Sequence, residues 1–451
     1  MTFQLKTALS LSALLLLPIA ALAGVSAEEA AHLKTDLTPF GAEKAGNKDG
    51  SIPAWTGGYT QPIPGYVEGG HVPDPFDADK PLFVITAKNK DQYADKLSDG
   101  VKALFAKYPD TYKVVVYQTR RTAAAPQWVY DNIFKNATRA ILKNDQTEGA
   151  FGGVPFPIPK SGAEAVLNHE LAWLGNANRV ENTTNVVTAD GRKVMLGKET
   201  VFEARPFYDL GGSAETWNGD TSLVNFRFIG PPSRVGESLV VRANADLDRS
   251  RAWVYFAGQR RTRQLPNACC DTPNPATSGF IGFDETYPFY GSIARYDWKL
   301  VGKKELFIPY NQNKRLQAPR DEALVLDKHL NPDWERWELH RVWEVEGTVR
   351  AGRRHQSPKV RLYLDEDTWH AALSERYDAQ GQLWKVGEMN LGLSPVGPAT
   401  FPYGFNSYHL HAGTLFWIGT ADTKDQRTVL DRKKVPDSLF TPEAMASESV
   451  R

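Results

Sequence analysis

The run Trp337-Glu338-Leu339-His340-Arg341-Val342-Trp343-Glu344-Val345-Glu346 alternates with a period of two. Its odd positions carry Trp337, Leu339, Arg341, Trp343 and Val345, and its even ones Glu338, His340, Val342, Glu344 and Glu346. Successive side chains of a strand point to opposite faces, so the stretch reads as a β-strand with one apolar face holding a single Arg. The same period runs from about residue 178 to 418. Strands are predicted at 185–188, 193–196, 200–207, 222–229, 239–245 and 252–256, then at 293–301, 305–310, 337–349, 359–364, 369–377, 382–386 and 414–418. Turn formers such as Ala189-Asp190-Gly191-Arg192 and Asp378-Ala379-Gln380-Gly381 join several of them. Roughly a dozen strands with short returns imply an antiparallel meander that closes, curls or splits to manage its edges.

Ahead of this β region the signals differ. To about residue 85, Gly46, Gly50, Gly57 and Gly58 alternate with Pro53, Pro62, Pro64, Pro73 and Pro75, which suits an extended arm anchored by Trp55, Tyr59 and Tyr66. Apolar residues at helical spacing predict helices over 90–108 and 127–142, with a short strand at 113–118 between them. The alternate prolines of Val154-Pro155-Phe156-Pro157-Ile158-Pro159 exclude regular hydrogen bonding, and Ser161 then caps a third helix. The organisation expected is a signal peptide at 1–23, an arm and helical segment at 24–177, and a curved β domain at 178–451, with one continuous domain over the last two as the alternative.

Composition narrows the function. Fifty-three basic and 53 acidic side chains balance to a formal charge of +0, without the cationic excess of a nucleic-acid binder. Mean hydropathy is −0.42, and the one long apolar run, Ala8 to Ala23, follows Lys6 and ends in Ala21-Leu22-Ala23. That is the pattern of a cleaved export signal, and no Cys near it would take a lipid. A periplasmic, non-lipidated protein is expected.

No G-x-S-x-G elbow, P-loop, H-E-x-x-H or dinucleotide fingerprint occurs, so no catalytic residue, metal or cofactor is expected. His409-Leu410-His411 share a strand face without a third ligand nearby. Cys269-Cys270 has three options: a strained ring, an intermolecular bridge or two buried thiols. Arg341 reads either as a core Arg paired with a buried acid or as a cavity wall meeting a ligand headgroup. Arg260, Arg261 and Arg263 form a basic turn after the strand at 252–256, read as a solvated patch or as a contact for an acidic partner.

Trp253-Val254-Tyr255 with Gly258 to Arg263 resembles a segment of a periplasmic family of unknown function. That family is placed in the outer-membrane lipoprotein-sorting (LolA/LolB-like) superfamily. Arg295-Tyr296-Asp297-Trp298-Lys299-Leu300-Val301-Gly302-Lys303-Lys304-Glu305, Arg336 to Trp343 and Asp365-Glu366-Asp367-Thr368-Trp369 are similar to further segments of it, and the likeness runs from about 45 to 420. Cys269-Cys270 has no counterpart in the superfamily pattern. The resemblance implies a mainly β fold: a strongly curved antiparallel sheet or half-barrel, partly closed by helices around an apolar hollow for acyl chains. It also implies association with export systems of the resistance–nodulation–division type.

The expected function is therefore a carrier for a lipid or other hydrophobic molecule, not an enzyme. Its ligand contacts are expected at Trp253, Tyr255, Trp337, Leu339, Arg341 and Trp343, and its partner contacts at Arg260, Arg261 and Arg263. An envelope hydrolase acting on a glycan or ester, and an interaction scaffold of an export complex, are the alternatives.

Overall fold

The computed structural model describes residues 24–266, 269–420, 426–429 and 435–448. The expected signal segment lies outside the described residues. The strands are β1 (Phe83–Thr86), β2 (Lys113–Val116), β3 (Ile141–Lys143), β4 (Gln146–Glu148), β5 (Ala177–Val187), β6 (Lys193–Ala204), β7 (Asp220–Gly230), β8 (Ser238–Asn244) and β9 (Arg251–Phe256). There follow β10 (Arg261–Gln264), β11 (Tyr296–Pro309), β12 (Trp337–Val349), β13 (Lys359–Asp365), β14 (Ala371–Tyr377), β15 (Leu383–Leu393), β16 (Thr400–His409), β17 (Thr414–Gly419) and β18 (Gln426–Val429). The α-helices are α1 (Ala27–Ala31), α2 (Asp99–Lys107), α3 (Gln127–Arg139), α4 (Gly162–Glu170) and α5 (Pro442–Glu448).

Apart from the β3–β4 hairpin, these strands form one large sheet ordered β1-β2-β12-β13-β14-β15-β16-β17-β5-β6-β7-β8-β9-β10, with β11 on β12 and β18 on β5. Neighbours are antiparallel except at the single parallel contact between Val116 of β2 and Trp337 of β12. The sheet does not close. It is mainly β and curved as expected, and β1 and β2 of the arm-and-helix segment belong to the same sheet.

Local differences from the predicted elements have identifiable causes. The strands predicted at 193–196 and 200–207 are one strand, β6, because the pairing slips by one residue at Leu196 instead of stopping. Likewise the strands predicted at 293–301 and 305–310 are one strand, β11 (Tyr296–Pro309), preceded by a 3-10 turn at Ile293–Arg295, with Val301 as the extra residue and Gly302 at φ 149° beside it. Such bulges bend a strand without ending it. The basic turn at 260–263 is mostly strand: Arg260 turns in the left-handed region and Arg261–Gln264 pair back onto β9. Strand β16 was not predicted, since Pro402 and Gly404 argue against a strand; a register shift there accommodates both. The helix predicted over 90–108 is a 3-10 turn followed by α2, which Ser98 caps by accepting from Val101 N–H. Ser161 caps α4 as expected, in a reciprocal box with Glu164.

Both faces of the β12–β14 region are covered. Val345, Leu362 and Leu364 pack with Ala165 and Val166 of α4 and Val129 and Ile133 of α3. Val342 and Tyr363 lie on the opposite face with Val101, Leu104 and Phe105 of α2. The charged even positions of β12 are thereby buried as well: Glu338 is 0% exposed and His340 1%. They persist there because each has a partner. Arg336 Nε lies 2.6 Å from Glu338 Oε1 and its Nη2 2.9 Å from Asp79 Oδ2, while His340 Nε2 lies 3.1 Å from Glu338 Oε2.

The same network holds the arm. Arg121 donates to both oxygens of Asp367, at 2.8 and 2.6 Å, and also to the carbonyls of Glu43, Lys44, Ala45 and Pro53. Arg341 donates to Ala45 O at 3.1 and 3.0 Å. Trp55 Nε1 donates to Ala123 O at 3.0 Å, and Tyr59 and Tyr66 pack around Ile63 and Val72. A bidentate guanidinium–carboxylate pair is the strong form of this contact, and removing one partner strands a buried charge. Arg121→Ala is expected to cost about 3–5 kcal/mol of unfolding free energy. Urea denaturation would measure it, and limited proteolysis would report release of the arm at residues 43–55.

Candidate ligand cavity

Strands β5 to β8 curve so that their inner face meets β16 and β17 across a hollow of about 130 Å³. Its wall is built by the period-two rule: Val180 on β5, Val201 on β6, Val224 and Phe226 on β7, Leu239 and Val241 on β8, with Phe401, Phe405 and Ile418 opposite. The segment between β10 and β11 lies over it and contributes Ala276, Phe283, Tyr287 and Tyr290. Val180, Val224, Phe226 and Val241 stay only half-buried although they face inward. The cap therefore does not fill the curve of the sheet, and apolar surface is left without protein contacts.

Charge fixes the cap. Asp284 Oδ2 accepts from His355 at 2.8 Å and Arg376 at 3.3 Å, and Lys385 lies 2.7 Å from Glu285. Arg234 donates to the carbonyls of Pro275 and Ala276. At the other end of the cap, His169 Nε2 donates to Phe289 O at 2.8 Å while its Nδ1 accepts from Ala371 N–H at 3.1 Å. This fixes a neutral tautomer, and burial pushes its pKa down to about 4. The next residue, Glu170, accepts from Gly291 N–H at 3.0 Å, and burial pushes its carboxyl up to about 8.

The hollow lies away from the ligand contacts expected from the sequence. Leu239 pairs with Val254, so Trp253 and Tyr255 occupy the opposite face of β9, where they pack with Val240, Phe440 and Met445. Trp337 and Leu339 are buried in a core cluster that includes Ile85, Phe307 and Ile308. Trp343 stacks on Trp369 at 6.3 Å with Lys303 over its ring, and Arg341 grips the arm. Of the two readings of Arg341, the geometry matches the core Arg, satisfied by arm carbonyls with Glu366 and Glu43 beyond hydrogen-bond distance at 3.8 and 3.7 Å. Arg260, Arg261 and Arg263 are exposed, on and beside the strand that ends the sheet order. Positive charge on such an edge also discourages strand addition.

Among the described residues, one group has metal-ligand geometry: His340, Asp365 and Asp367 bring one ligand atom each within 4.8 Å of one another. Most of its donors are already engaged, while Asp365 Oδ1 has no hydrogen-bond partner. Both Asp367 oxygens take Arg121, and His340 Nε2 faces Glu338. Burial opposes charge on His340, but Glu338 and Asp365 prevail and raise its pKa, while burial pushes Asp365 up to about 7. Cys269 and Cys270 are two buried thiols, the third of the sequence options, with Cys270 at φ 61°. A hydrogen bond with Cys270, aided by Arg295, lowers Cys269 to about 7.

The sequence profile of a family described as "Protein of unknown function (DUF1329)" matches residues 84–446. The chain belongs to this family. An uncharacterized protein of Pseudomonas aeruginosa is 38% identical over 454 residues, 97% of each chain. Among solved structures, a putative outer membrane lipoprotein-sorting protein domain from Vibrio parahaemolyticus is similar over 60% of this chain and 92% of its own, at 11% identity and a TM-score of 0.42. A DUF1329 family protein from Desulfovibrio piger has the same coverage, at 12% identity and a TM-score of 0.40. A LolA superfamily protein from Nitrosomonas europaea covers 63% of this chain and 100% of its own, at 11% identity and a TM-score of 0.38.

The DUF1329 chain carries a pH signature in the anchor of its cap. Glu170 stays protonated in the fold up to about 8, whereas in the unfolded chain it ionises near 4.5. The unfolded state therefore binds fewer protons between these values, and stability falls as pH rises through the window. Glu170→Gln is expected to flatten that decline. Melting temperatures of variant and wild type, taken at steps from about pH 5 to 8.5, would show a narrower spread for the variant.

Proposed function

We propose that the protein is a periplasmic carrier that binds a lipid or other hydrophobic molecule in the hollow of β5–β8, β16 and β17. The observation that carries this reading is the inward-facing apolar wall left half-buried beneath a charge-pinned cap. An apolar cavity gains nothing from water, and each CH₂ of a chain enclosed there contributes roughly 0.8 kcal/mol. Binding of this kind needs no catalytic group. The periplasmic placement rests on the apolar N-terminal segment read from the sequence, and the cationic edge at Arg260, Arg261 and Arg263 is where we place an export-system partner.

Organic extracts of the purified protein should contain a co-purifying lipid by mass spectrometry. The neutral fluorophore N-phenyl-1-naphthylamine should brighten on binding. Val224→Trp, which fills the hollow from β7, is expected to weaken probe binding at least about tenfold while the protein stays folded by circular dichroism. A lipid-free extract together with no probe binding would overturn the carrier role. Arg261→Glu with Arg263→Glu should abolish co-purification with a transporter of the resistance–nodulation–division type and leave probe binding intact.

A further inference from the structure

The hollow has a polar end. Tyr287, Tyr290 and Pro402 line both it and a smaller recess walled by His169, Glu170, Arg205 and His370. Arg205 is 5% exposed and lies at the end of β6, two residues beyond the cavity-lining Glu203. Its Nη2 is 3.0 Å from Glu203 Oε1, yet its buried Nε–H has no hydrogen-bond partner. Glu203 is already satisfied by Asn178 at 3.1 Å and Ser222 at 3.0 Å. A buried guanidinium N–H without an acceptor, beside an apolar hollow, is free to donate to an oxygen atom of a ligand.

The charges around it say which kind of oxygen. Arg205 is matched by Glu203. His169 is held neutral by the carbonyl and amide it bonds, burial keeps His370 neutral, and burial also keeps Glu170 protonated near neutral pH. The recess is thus balanced before any ligand enters. An ionised carboxylate or phosphate head would face Glu203 with no spare cation, and a cationic head would face Arg205 with no spare anion. An uncharged oxygen acceptor satisfies the Nε–H without disturbing that balance.

Building on the carrier role, we propose that this recess receives the polar head of the bound lipid. That head is an uncharged oxygen group, an ester or amide carbonyl or a hydroxyl, hydrogen-bonded by Arg205 Nε while the chain lies in the hollow.

Competition for N-phenyl-1-naphthylamine tests the proposal on the full mature chain. The competitors share a dodecyl-length chain and differ in head: methyl dodecanoate, dodecan-1-ol, dodecanoate and dodecyltrimethylammonium, each below its micelle concentration at about pH 7.5. The ester and alcohol are expected to displace the probe at concentrations about tenfold lower than the two ionic compounds. Glu203→Gln leaves Arg205 unmatched and should reverse the order in favour of dodecanoate. Arg205→Met combined with Glu203→Gln, a neutral pair, should erase the preference among the four heads. Probe binding with equal displacement by all four heads, or wild-type preference for either ionic head, overturns the head assignment alone. No probe binding at all overturns the carrier role and the head assignment with it.

Discussion

A curved sheet that does not close must find something to cover its concave face, and in this fold that cover is held by charge. Asp284 and Glu285 of the cap meet His355, Arg376 and Lys385 from the loop before β13 and from β14 and β15. Each pair is largely desolvated and so depends on its geometry. The cap is fixed in position by these contacts before it has filled the space beneath it, which is why a hollow remains.

The two halves of the sheet solve the burial problem differently. Around β12, helices cover both faces and even the charged side chains are buried in matched sets. Around β5 to β8 the convex face carries Trp253, Tyr255 and the C-terminal helix, and the concave face stays partly bare. One half is a scaffold that holds the arm and the cap; the other presents the cavity.

The scaffold was legible in the sequence and the cavity was not. Alternation in β12, β13 and β14 is strong because tight cores select large apolar side chains at every second position. That same strength directs attention to Trp337, Trp343 and Trp253, which pack against protein. The cavity wall is weaker in pattern because it is only half-buried: Asn178, Val180, Asn182 and Thr184 of β5 share one face. Their strand was predicted only from 185 onward. Arg121 gave no signal, since its partner Asp367 is 246 residues away, and nothing in the local pattern around Arg205 and its partner Glu203 marks the Arg205 Nε–H as unpaired. Bulges at Leu196 and Val301 likewise cut single strands into predicted pairs.

The grip of Arg121 and Arg341 on residues 43–45 also orders events in time. The arm comes first from a ribosome, but β12 and the Asp365–Asp367 turn that complete its socket come some three hundred residues later. Until then the early chain has nothing to fasten to and its prolines keep it open. Docking of the arm thus waits for β12 and this turn, and a chain that must thread a narrow passage before folding would be kept threadable by that delay.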